Sequence, residues 1–282
     1  MGYHQELRKL SRTQRIISML PEKLKFRIAK KLYDYESSAI NGIDLVAPLQ
    51  NDGAVCFINT KDLIGWKIFF FGEYETGTNE AMARYIKPDD IVIEAGANLG
   101  SETILIARQL KGGHLYSFEP NPYTFDRLKV NVNINGLKNV DVYDDALGEK
   151  DGTIHFHIYP KNFCNPGMSS KYMATKETRK IDVNQLTLDT FVKTHHVPRV
   201  NFIKMDIQGA EMDLILGAHD TISKYKPTIF AEAFDLFNDT QQLYGKLKEY
   251  GYNVYFIDDH SIQLMATPAE IKEGNWLARY EA

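Results

Sequence analysis

The sequence contains few cysteines and no long apolar run. Its two cysteines, Cys56 and Cys164, are too few for a disulfide framework or a zinc cluster, and we interpret both as reduced thiols. No stretch approaches the roughly 20 apolar residues that a membrane span needs. Charged residues such as Arg8 and Arg12 interrupt every apolar stretch near the N-terminus, which argues against a signal peptide. These features predict a cytoplasmic protein.

The chain also lacks internal repeats, low-complexity tracts and an excess of positive charge. Of its 282 residues, 25% are charged and 44% are hydrophobic, which is ordinary for a globular protein. The net charge of −4 is unevenly placed, because residues 1–35 hold nine lysines and arginines against three acids and so carry +6. The rest of the chain therefore carries −10, which argues against nucleic acid as a partner.

Residues 5–35 predict two helices that break near Pro21. Their apolar stripes consist of Leu7, Leu10, Ile17 and Leu20, then Leu24, Ile28 and Leu32. Basic amphipathic helices can lie on an anionic membrane or contact a partner, but we favour a helical cap packed on the protein, because the stripe is modest. We treat residues 1–40 as an N-terminal helical extension and residues 41–282 as one domain. The oligomeric state stays open.

The stretch from residue 91 to residue 121 has the pattern of the first half of a nucleotide-binding α/β fold. In chain order it comprises a predicted strand at Ile91–Ile93, a turn between Gly96 and Gly100, a helix over Glu102–Leu110 capped by Ser101, a strand at His114–Phe118, and Glu119. Glycines and the free N–H groups of a helix N-terminus let a ligand approach the backbone. Glu119, at the end of the second strand, can accept hydrogen bonds from both hydroxyls of a ribose.

The glycine turn differs from the dinucleotide fingerprint. That fingerprint needs three glycines, whereas this turn has only Gly96 and Gly100, which leave less room for a pyrophosphate. Glu94, just before the turn, adds negative charge where phosphates would lie. An acid there suits a ligand with an ammonium or sulfonium charge, and S-adenosylmethionine carries both. An oxidoreductase that binds a nicotinamide nucleotide is therefore the less favoured alternative.

Several further strands are predicted on either side of this unit. Val55–Ile58 and Lys67–Phe71 are strand candidates in the first quarter of the chain. Later strands over Val200–Met205 and Pro227–Glu232 are followed by Asp206 and end in Glu232, respectively. Adjacent parallel strands would place these two acids at the same sheet edge as Gly96 and Glu119.

Six motifs, taken together, resemble one known family. They are IEAGANLGSET, SFEPNP, DDALGEKDG, LTLDTF, NFIKMDIQGAE and IFAEAF, and they occur in the order found in the FkbM family of S-adenosylmethionine-dependent methyltransferases. The resemblance covers about Phe71 to Ile257. It departs from the family at Glu94, where Asp is more frequent, and that change keeps the charge. The resemblance implies a doubly wound α/β fold with a mostly parallel, seven-stranded, Rossmann-like sheet, following the N-terminal helical extension.

The resemblance also implies S-adenosylmethionine as the cofactor and a set of residues that bind it. These are Glu75, Glu94, Gly96, Asn98, Ser101, Glu119, Pro120, Asn121, Asp145 and Ala146. Asp145 would bind the adenine amino group, Ala146 would line the ring, and Glu75 would lie over the methionine end. In the loop 160–180, Gly167–Ser170 would form a wall of the site. The acceptor implied is a hydroxyl of a sugar, glycan or related natural product, with N-methylation of a small molecule as the alternative.

An aliphatic hydroxyl has a high pKa, so its methylation needs a general base or a metal. Asp206 is our first candidate for the base, with Glu211 and Glu232 beside it and Lys204 on the same face. Lys204 would stabilise a developing alkoxide or pair with a carboxylate. In a second mechanism Asp206 and Glu232 hold Mg²⁺, but the sequence offers no dedicated third ligand, and we favour the metal-free mechanism. The other interpretation is that these acids cap the helix over residues 209–217 and pair with lysines.

Overall fold

The chain's contacts divide it into two compact units. A computed structural model describes residues 3–37, 42–49, 53–160, 163–235, 240–258 and 261–281. One unit comprises Met1–Tyr74 and Pro160–Pro166, and the other comprises Glu75–Tyr159 and Gly167–Ala282. The division predicted at residue 40 falls outside the described residues and stays a prediction.

The described residues of the first unit form three helices and a two-stranded hairpin. Its elements are α1 (Tyr3–Ser18), α2 (Glu22–Leu32), β1 (Asp44–Leu49), β2 (Ala54–Asn59) and α3 (Leu63–Phe71). The two N-terminal helices break at Pro21, as predicted. Leu10 and Ile17 are buried, but Leu24 and Leu32 are exposed, and Ala29 is buried in α2 instead. Within the described residues, no helix combines the length and the apolar character needed to cross a membrane.

The predicted strand at Lys67–Phe71 is wrong, because this segment belongs to α3. The Asp62 side chain accepts a hydrogen bond from the Ile64 amide and begins the helix, and Gly72 ends it in a left-handed conformation with φ 78°. The helix is apolar on nearly all sides, so its sequence has no clear period and fits a buried strand equally well. The capping residues decide between the two.

The second unit is built on an eight-stranded sheet. Its strands are β3 (Ile91–Ala95), β4 (His114–Phe118), β5 (Val140–Tyr143), β9 (Phe202–Met205), β10 (Thr228–Ala233), β11 (Tyr252–Ile257), β12 (Ile262–Leu264) and β13 (Gly274–Tyr280). They lie in the order β12-β11-β13-β10-β9-β3-β4-β5. The pairs from β10 to β5 are parallel, whereas β13 is antiparallel to both β10 and β11. The predicted mostly parallel sheet is confirmed, but it has eight strands rather than the predicted seven, because β13 was not predicted.

Helices cover both faces of this sheet. They are α4 (Thr76–Ala83), α5 (Ser101–Gln109), α6 (Pro122–Ile134), α7 (Leu188–Thr194), α8 (Glu211–Leu216), α9 (His219–Tyr225) and α10 (Thr240–Glu249), with 3-10 turns at Pro166–Met168 and Pro268–Glu270. Consecutive residues of a strand pack in different apolar clusters, one on each face of the sheet. Val92 and Phe202 pack with Ile106, while Ile93 and Ile203 pack with Leu214. This two-sided burial is the doubly wound α/β fold that the sequence predicted.

A small three-stranded sheet completes the second unit. It comprises β6 (Ala146–Leu147), β7 (Gly152–Ile158) and β8 (Arg179–Leu186), in the order β6-β8-β7. Phe156 and Ile158 pack with Ala146 and Val183 in a separate apolar cluster. The segment between β7 and β8 contains residues 167–170, where Ser169 accepts a hydrogen bond from Asn121 and Ser170 donates one to Gln208, so this stretch lies at the edge of the large sheet.

Candidate active site

Four residues of the predicted site lie at the carboxyl edge of the large sheet: Gly96, Glu119, Asp206 and Glu232. The strands β10, β9, β3 and β4 are neighbours and run in parallel, with Glu94 level with Lys204 and Ala231 level with Met205. Gly96, Glu119 and Asp206 each come immediately after a strand, and Glu232 lies near the end of β10. The strand order therefore gathers these residues at one edge, as the sequence predicted.

The turn after β3 requires glycine at its first position. Gly96 has a φ of +81°, and a Cβ atom there would lie 1.8 Å from the carbonyl oxygen of Asp206. Gly100 has a φ of +91° and occupies the N-cap position of α5. Ser101 is thus the first helical residue and makes no side-chain cap, so the predicted capping role of Ser101 is wrong. A left-handed cap residue favours glycine, which explains the difference.

Glu119 is buried and holds two loops together. Its Oε2 atom accepts a hydrogen bond of 2.8 Å from the Asn98 amide, and its Oε1 atom accepts one of 2.9 Å from the Asn121 amide. Burial raises the pKa of Glu119 to about 7, against the opposing effect of these hydrogen bonds. Pro120, between these residues, is half-buried.

The side chains of Asn98 and Asn121, the two residues whose amides bind Glu119, differ in their hydrogen bonds. Asn98 has a φ of +52°, and its buried Oδ1 atom has no hydrogen-bond partner among the described residues. Asn121 begins α6 by accepting a bond from the Tyr123 amide, and its Nδ2 atom donates to the Ser169 hydroxyl at 3.1 Å. A buried amide oxygen without a partner is an acceptor that can serve a ligand's donor.

Glu94 faces the protein interior. It is completely buried, and its Oε2 atom accepts hydrogen bonds from Thr103 at 2.6 Å and from Ser117 at 2.7 Å. Burial raises the pKa of Glu94, against the attraction of the nearby Lys204 cation. Glu94 therefore has no exposed surface with which to line a ligand site, and its predicted role in cofactor binding stays a prediction.

Lys204 is a buried cation surrounded by carboxylates. Its Nζ atom lies 2.7 Å from Glu102 Oε2 and 3.8 Å from Asp206 Oδ2, and it also donates to the Gly96 carbonyl at 3.3 Å. Burial alone would lower the pKa of Lys204, but these carboxylates together raise it. Lys204 is consequently charged, and its charge lies beside Asp206.

Asp206 and Glu232 form a carboxyl pair that one amide group bridges. The Gln208 Nε2 atom donates to Asp206 Oδ1 at 2.8 Å and to Glu232 Oε2 at 3.2 Å. Burial, the charge of Asp206 and a hydrogen bond with Asp206 raise the pKa of Glu232 to about 10. A pKa this high keeps Glu232 protonated at neutral pH, whereas Asp206 lies beside the Lys204 cation.

The turn that presents Gln208 is fixed from two sides. Gln208 has a φ of +50°, a conformation that non-glycine residues rarely adopt. Both carboxylate oxygens of the buried Glu211 accept backbone hydrogen bonds, from the Ile207 amide at 3.0 Å and from the Gly209 amide at 3.1 Å. The Ser170 hydroxyl donates to the Gln208 carbonyl at 2.7 Å. These contacts favour the capping interpretation of Glu211 over direct participation in catalysis.

Three further predicted residues lie nearby. Glu75 occupies the N-cap position of α4 with a φ of +51°, and its charge contributes to the raised pKa of Glu232. Asp145 follows β5, the strand next to β4, and accepts a hydrogen bond of 2.5 Å from Asn184. Ala146 is buried at the start of β6. The roles of all these residues in binding stay predictions.

Sequence reasoning missed Gln208, Thr103 and Ser117. Gln208 lies two positions after Asp206 in a turn, and its only sequence signal is a polar side chain between an acid and a glycine. Thr103 and Ser117 lie on different elements and meet only through Glu94. Their roles depend on tertiary distances, which a single sequence does not contain.

The carboxyl pair does not fit a magnesium site. One of the two paired carboxyl groups is protonated, and the Gln208 amide presents a donor to both. Mg²⁺ needs several oxygen ligands in near-octahedral geometry. Within the described residues, no group of three or more histidines, cysteines or acids could hold a metal ion.

Comparison with known proteins identifies relatives for more than half of the chain. The family model described as the methyltransferase FkbM domain matches residues 94–254. The chain is 29% identical over 153 residues to Methyltransferase 1 of Beauveria bassiana, covering 47% of this chain and 60% of that protein. It is 27% identical over 175 residues to the 2-O-methyltransferase NoeI of Sinorhizobium fredii, covering 56% and 67%. It is 26% identical over 135 residues to the hexuronic acid methyltransferase AglP of Haloferax volcanii, covering 46% and 50%.

The chain therefore spans half to two thirds of the lengths of these relatives. The region matched by the family model begins at Glu94 and includes Glu119, Asp206 and Glu232. It also contains the strands β4, β5, β9 and β10 of the large sheet in full. On this match, the chain belongs to the FkbM family of methyltransferases.

Proposed function

We propose that this protein is an S-adenosylmethionine-dependent O-methyltransferase whose acceptor is a hydroxyl of a sugar or glycan. The observation that carries the proposal is the group of Asp206, Gln208 and Glu232 beside the buried Lys204. This group lies at the sheet edge that also presents Gly96 and Glu119. A general base and a candidate cofactor site are thus adjacent.

The residues at the edge fit the proposed cofactor, which supplies an electrophilic methyl group when bound. Glu119 would accept hydrogen bonds from the ribose hydroxyls, because its backbone partners hold it at the end of β4. The tight turn at Gly96 admits a ligand to the backbone, and the unpartnered Asn98 Oδ1 suits an ammonium donor. Asp145 and Ala146 would contact the adenine.

In the proposed mechanism Asp206 accepts the proton of the acceptor hydroxyl as the new bond forms. Gln208 orients Asp206 through Oδ1, and Lys204 stabilises the negative charge near Oδ2. Protonated Glu232 donates a hydrogen bond to Asp206 and adds no second negative charge. General-base catalysis of this kind contributes roughly 10²–10⁴-fold to a rate.

The acceptor class rests on the relatives and on the charge of the site. NoeI is named a 2-O-methyltransferase and AglP a hexuronic acid methyltransferase, so two relatives bear names of sugar or O-methyl chemistry. Here Glu232 lies near two further acids, Asp206 and Glu75. The charges of these two acids would repel a negatively charged acceptor but not a neutral polyol. We therefore favour a neutral sugar hydroxyl over a uronic acid.

Asp206→Asn tests the proposal most sharply, because it keeps the shape of the side chain and removes the base. We expect turnover, measured as transfer of labelled methyl to a panel of neutral sugars and uronic acids, to fall roughly 10²–10⁴-fold. Binding of S-adenosylhomocysteine should be retained. The matched control is Asp126→Asn on the exposed face of α6, where the side chain is 74% exposed. Unchanged turnover in Asp206→Asn would exclude Asp206 as the base.

A further inference from the structure

The two N-terminal helices present a row of cations to solvent. We name Arg8, Arg12 and Arg15 of α1 and Lys23, Arg27 and Lys31 of α2 the basic face. All six side chains are exposed. Successive members of each row are three or four positions apart, so each row follows one side of its helix.

The opposite side of each helix is buried within the first unit. Leu10 and Ile17 are fully buried in α1, as is Ala29 in α2. Gln14 donates to the Phe69 carbonyl, and the Phe26 ring packs against Trp66. The helices are thus fixed by their apolar sides, and their orientation keeps the basic face outward.

The cations of the basic face form no ion pair with the acidic side chains that the structure describes. Among the side chains that the structure describes, none of the six forms an ion pair, whereas Lys30 on the adjoining side of α2 pairs with Glu36 at 2.9 Å. Apolar side chains lie among these cations: Met19 is 77% exposed, Ile16 is 53% exposed and Leu24 is 43% exposed. As far as the described side chains show, the face therefore combines positive charge outside any ion pair with accessible apolar groups.

We propose that the basic face binds anionic lipid headgroups and places the protein on a membrane surface. Uncompensated lysines and arginines are attracted to the negative potential of an anionic leaflet. Exposed side chains such as Met19 and Ile16 gain by entering the interfacial region, which water-filled nucleic-acid grooves do not offer. The mixture of the two chemistries is why we assign a lipid surface rather than a nucleic acid.

The size of the effect follows from the number of cations. Each lysine or arginine near an anionic leaflet strengthens binding about fivefold, so removal of three should weaken it on the order of 100-fold. Binding should also weaken steeply with salt, because the screening length is only about 8 Å at physiological ionic strength.

The experiment is vesicle co-sedimentation with the full chain. The vesicles contain phosphatidylcholine alone or with about 30% phosphatidylserine, which supplies the negative surface potential. The test variant carries Arg8→Gln, Arg12→Gln and Arg15→Gln. The matched control carries Lys111→Gln, Lys138→Gln and Lys193→Gln, which remove the same charge from exposed positions of the second unit. A third variant, Met19→Gln, tests the apolar contribution at an exposed position.

The proposal expects binding to the anionic vesicles only, a roughly 100-fold loss in the arginine variant, and no comparable loss in the lysine control. Met19→Gln should weaken binding by a few fold. Equal binding to both kinds of vesicle, or equal losses in both triple variants, would overturn it. Tighter binding to a double-stranded DNA oligonucleotide than to the vesicles would overturn it in favour of nucleic acid. None of these outcomes bears on the methyl-transfer proposal, which uses the second unit.

Discussion

Replacement of Glu119 by Gln should change how the stability of the protein depends on pH. Glu119 is buried, and its pKa in the folded protein is raised from 4.5 to about 7. The folded state therefore binds this proton more tightly than the unfolded state does. The resulting stabilisation is fully present below about pH 4.5 and is lost as the pH rises through about 7.

The magnitude follows from these two pKa values. Between about pH 5 and about pH 8.5, the Glu119 carboxyl should remove about 2.5 kcal/mol from the free energy of unfolding of the wild-type protein. Glu119→Gln lacks this carboxyl, so its free energy of unfolding should decline over this pH range by that much less than the wild type's. Glu232 titrates in both proteins, and its contribution cancels in the comparison.

The assay is urea unfolding at the two pH values, followed by circular dichroism, for the wild type and Glu119→Gln. Glu80→Gln, an exposed position of α4, is the matched control and should retain the wild-type decline. In a carbon NMR titration, the carboxyl resonance that disappears in Glu119→Gln should have a midpoint near 7. Parallel declines in the wild type and in Glu119→Gln would refute the reasoning.

Two further substitutions probe the sheet edge. Gly96→Ala would place a Cβ atom 1.8 Å from the Asp206 carbonyl at a φ of +81°, and calorimetry should detect no S-adenosylhomocysteine binding. Gly245→Ala, which meets nothing within 4 Å, should bind normally, and loss of binding in both variants would contradict this explanation. Gln208→Glu would put a third carboxyl 2.8 and 3.2 Å from the existing pair, so the acid limb of the pH profile of kcat should move up by about one unit or more. Gln208→Ala should lower kcat without that displacement. Identical pH profiles for the two variants would contradict the effect of the added carboxyl, and an unchanged kcat in Gln208→Ala would exclude a positioning role.

The sequence predicted the sheet edge well because its signals are local. The strand at Ile91–Ala95, the glycine turn and the acid after His114–Phe118 follow each other within one unit. Because the carboxyl ends of parallel strands meet at one edge, the predicted strands also placed Asp206 and Glu232 at that edge. Strand periodicity and chain topology sufficed for these residues.

Other features depend on contacts that local patterns do not encode. Helix α3 was predicted as a strand because its apolar residues show no period, although Asp62 and Gly72 are recognisable caps. Strand β13 was missed, and it inserts between β10 and β11 from the end of the chain. Its position is set by pairing with distant strands.

The predicted roles of individual acids show the same limit. Glu94 was predicted to bind the cofactor because it precedes the turn; the structure shows it completely buried and bonded to Thr103 and Ser117, and its role in binding stays a prediction. Glu211 was considered for catalysis, yet both of its oxygens hold the backbone around Gln208. Sequence spacing gives the edge at which a residue lies, and the tertiary neighbours give the direction of its side chain.

The central claim is that the edge formed by Gly96 and Glu119 binds S-adenosylmethionine. Calorimetric titration of the full chain with S-adenosylhomocysteine tests it most directly, using the wild type, Glu119→Ala and the control Glu80→Gln. The proposed site predicts binding by the wild type and by Glu80→Gln, and a clear loss in Glu119→Ala, because the ribose hydroxyls would lose their acceptor. Absence of binding by the wild type, or undiminished binding by Glu119→Ala, would contradict the claim.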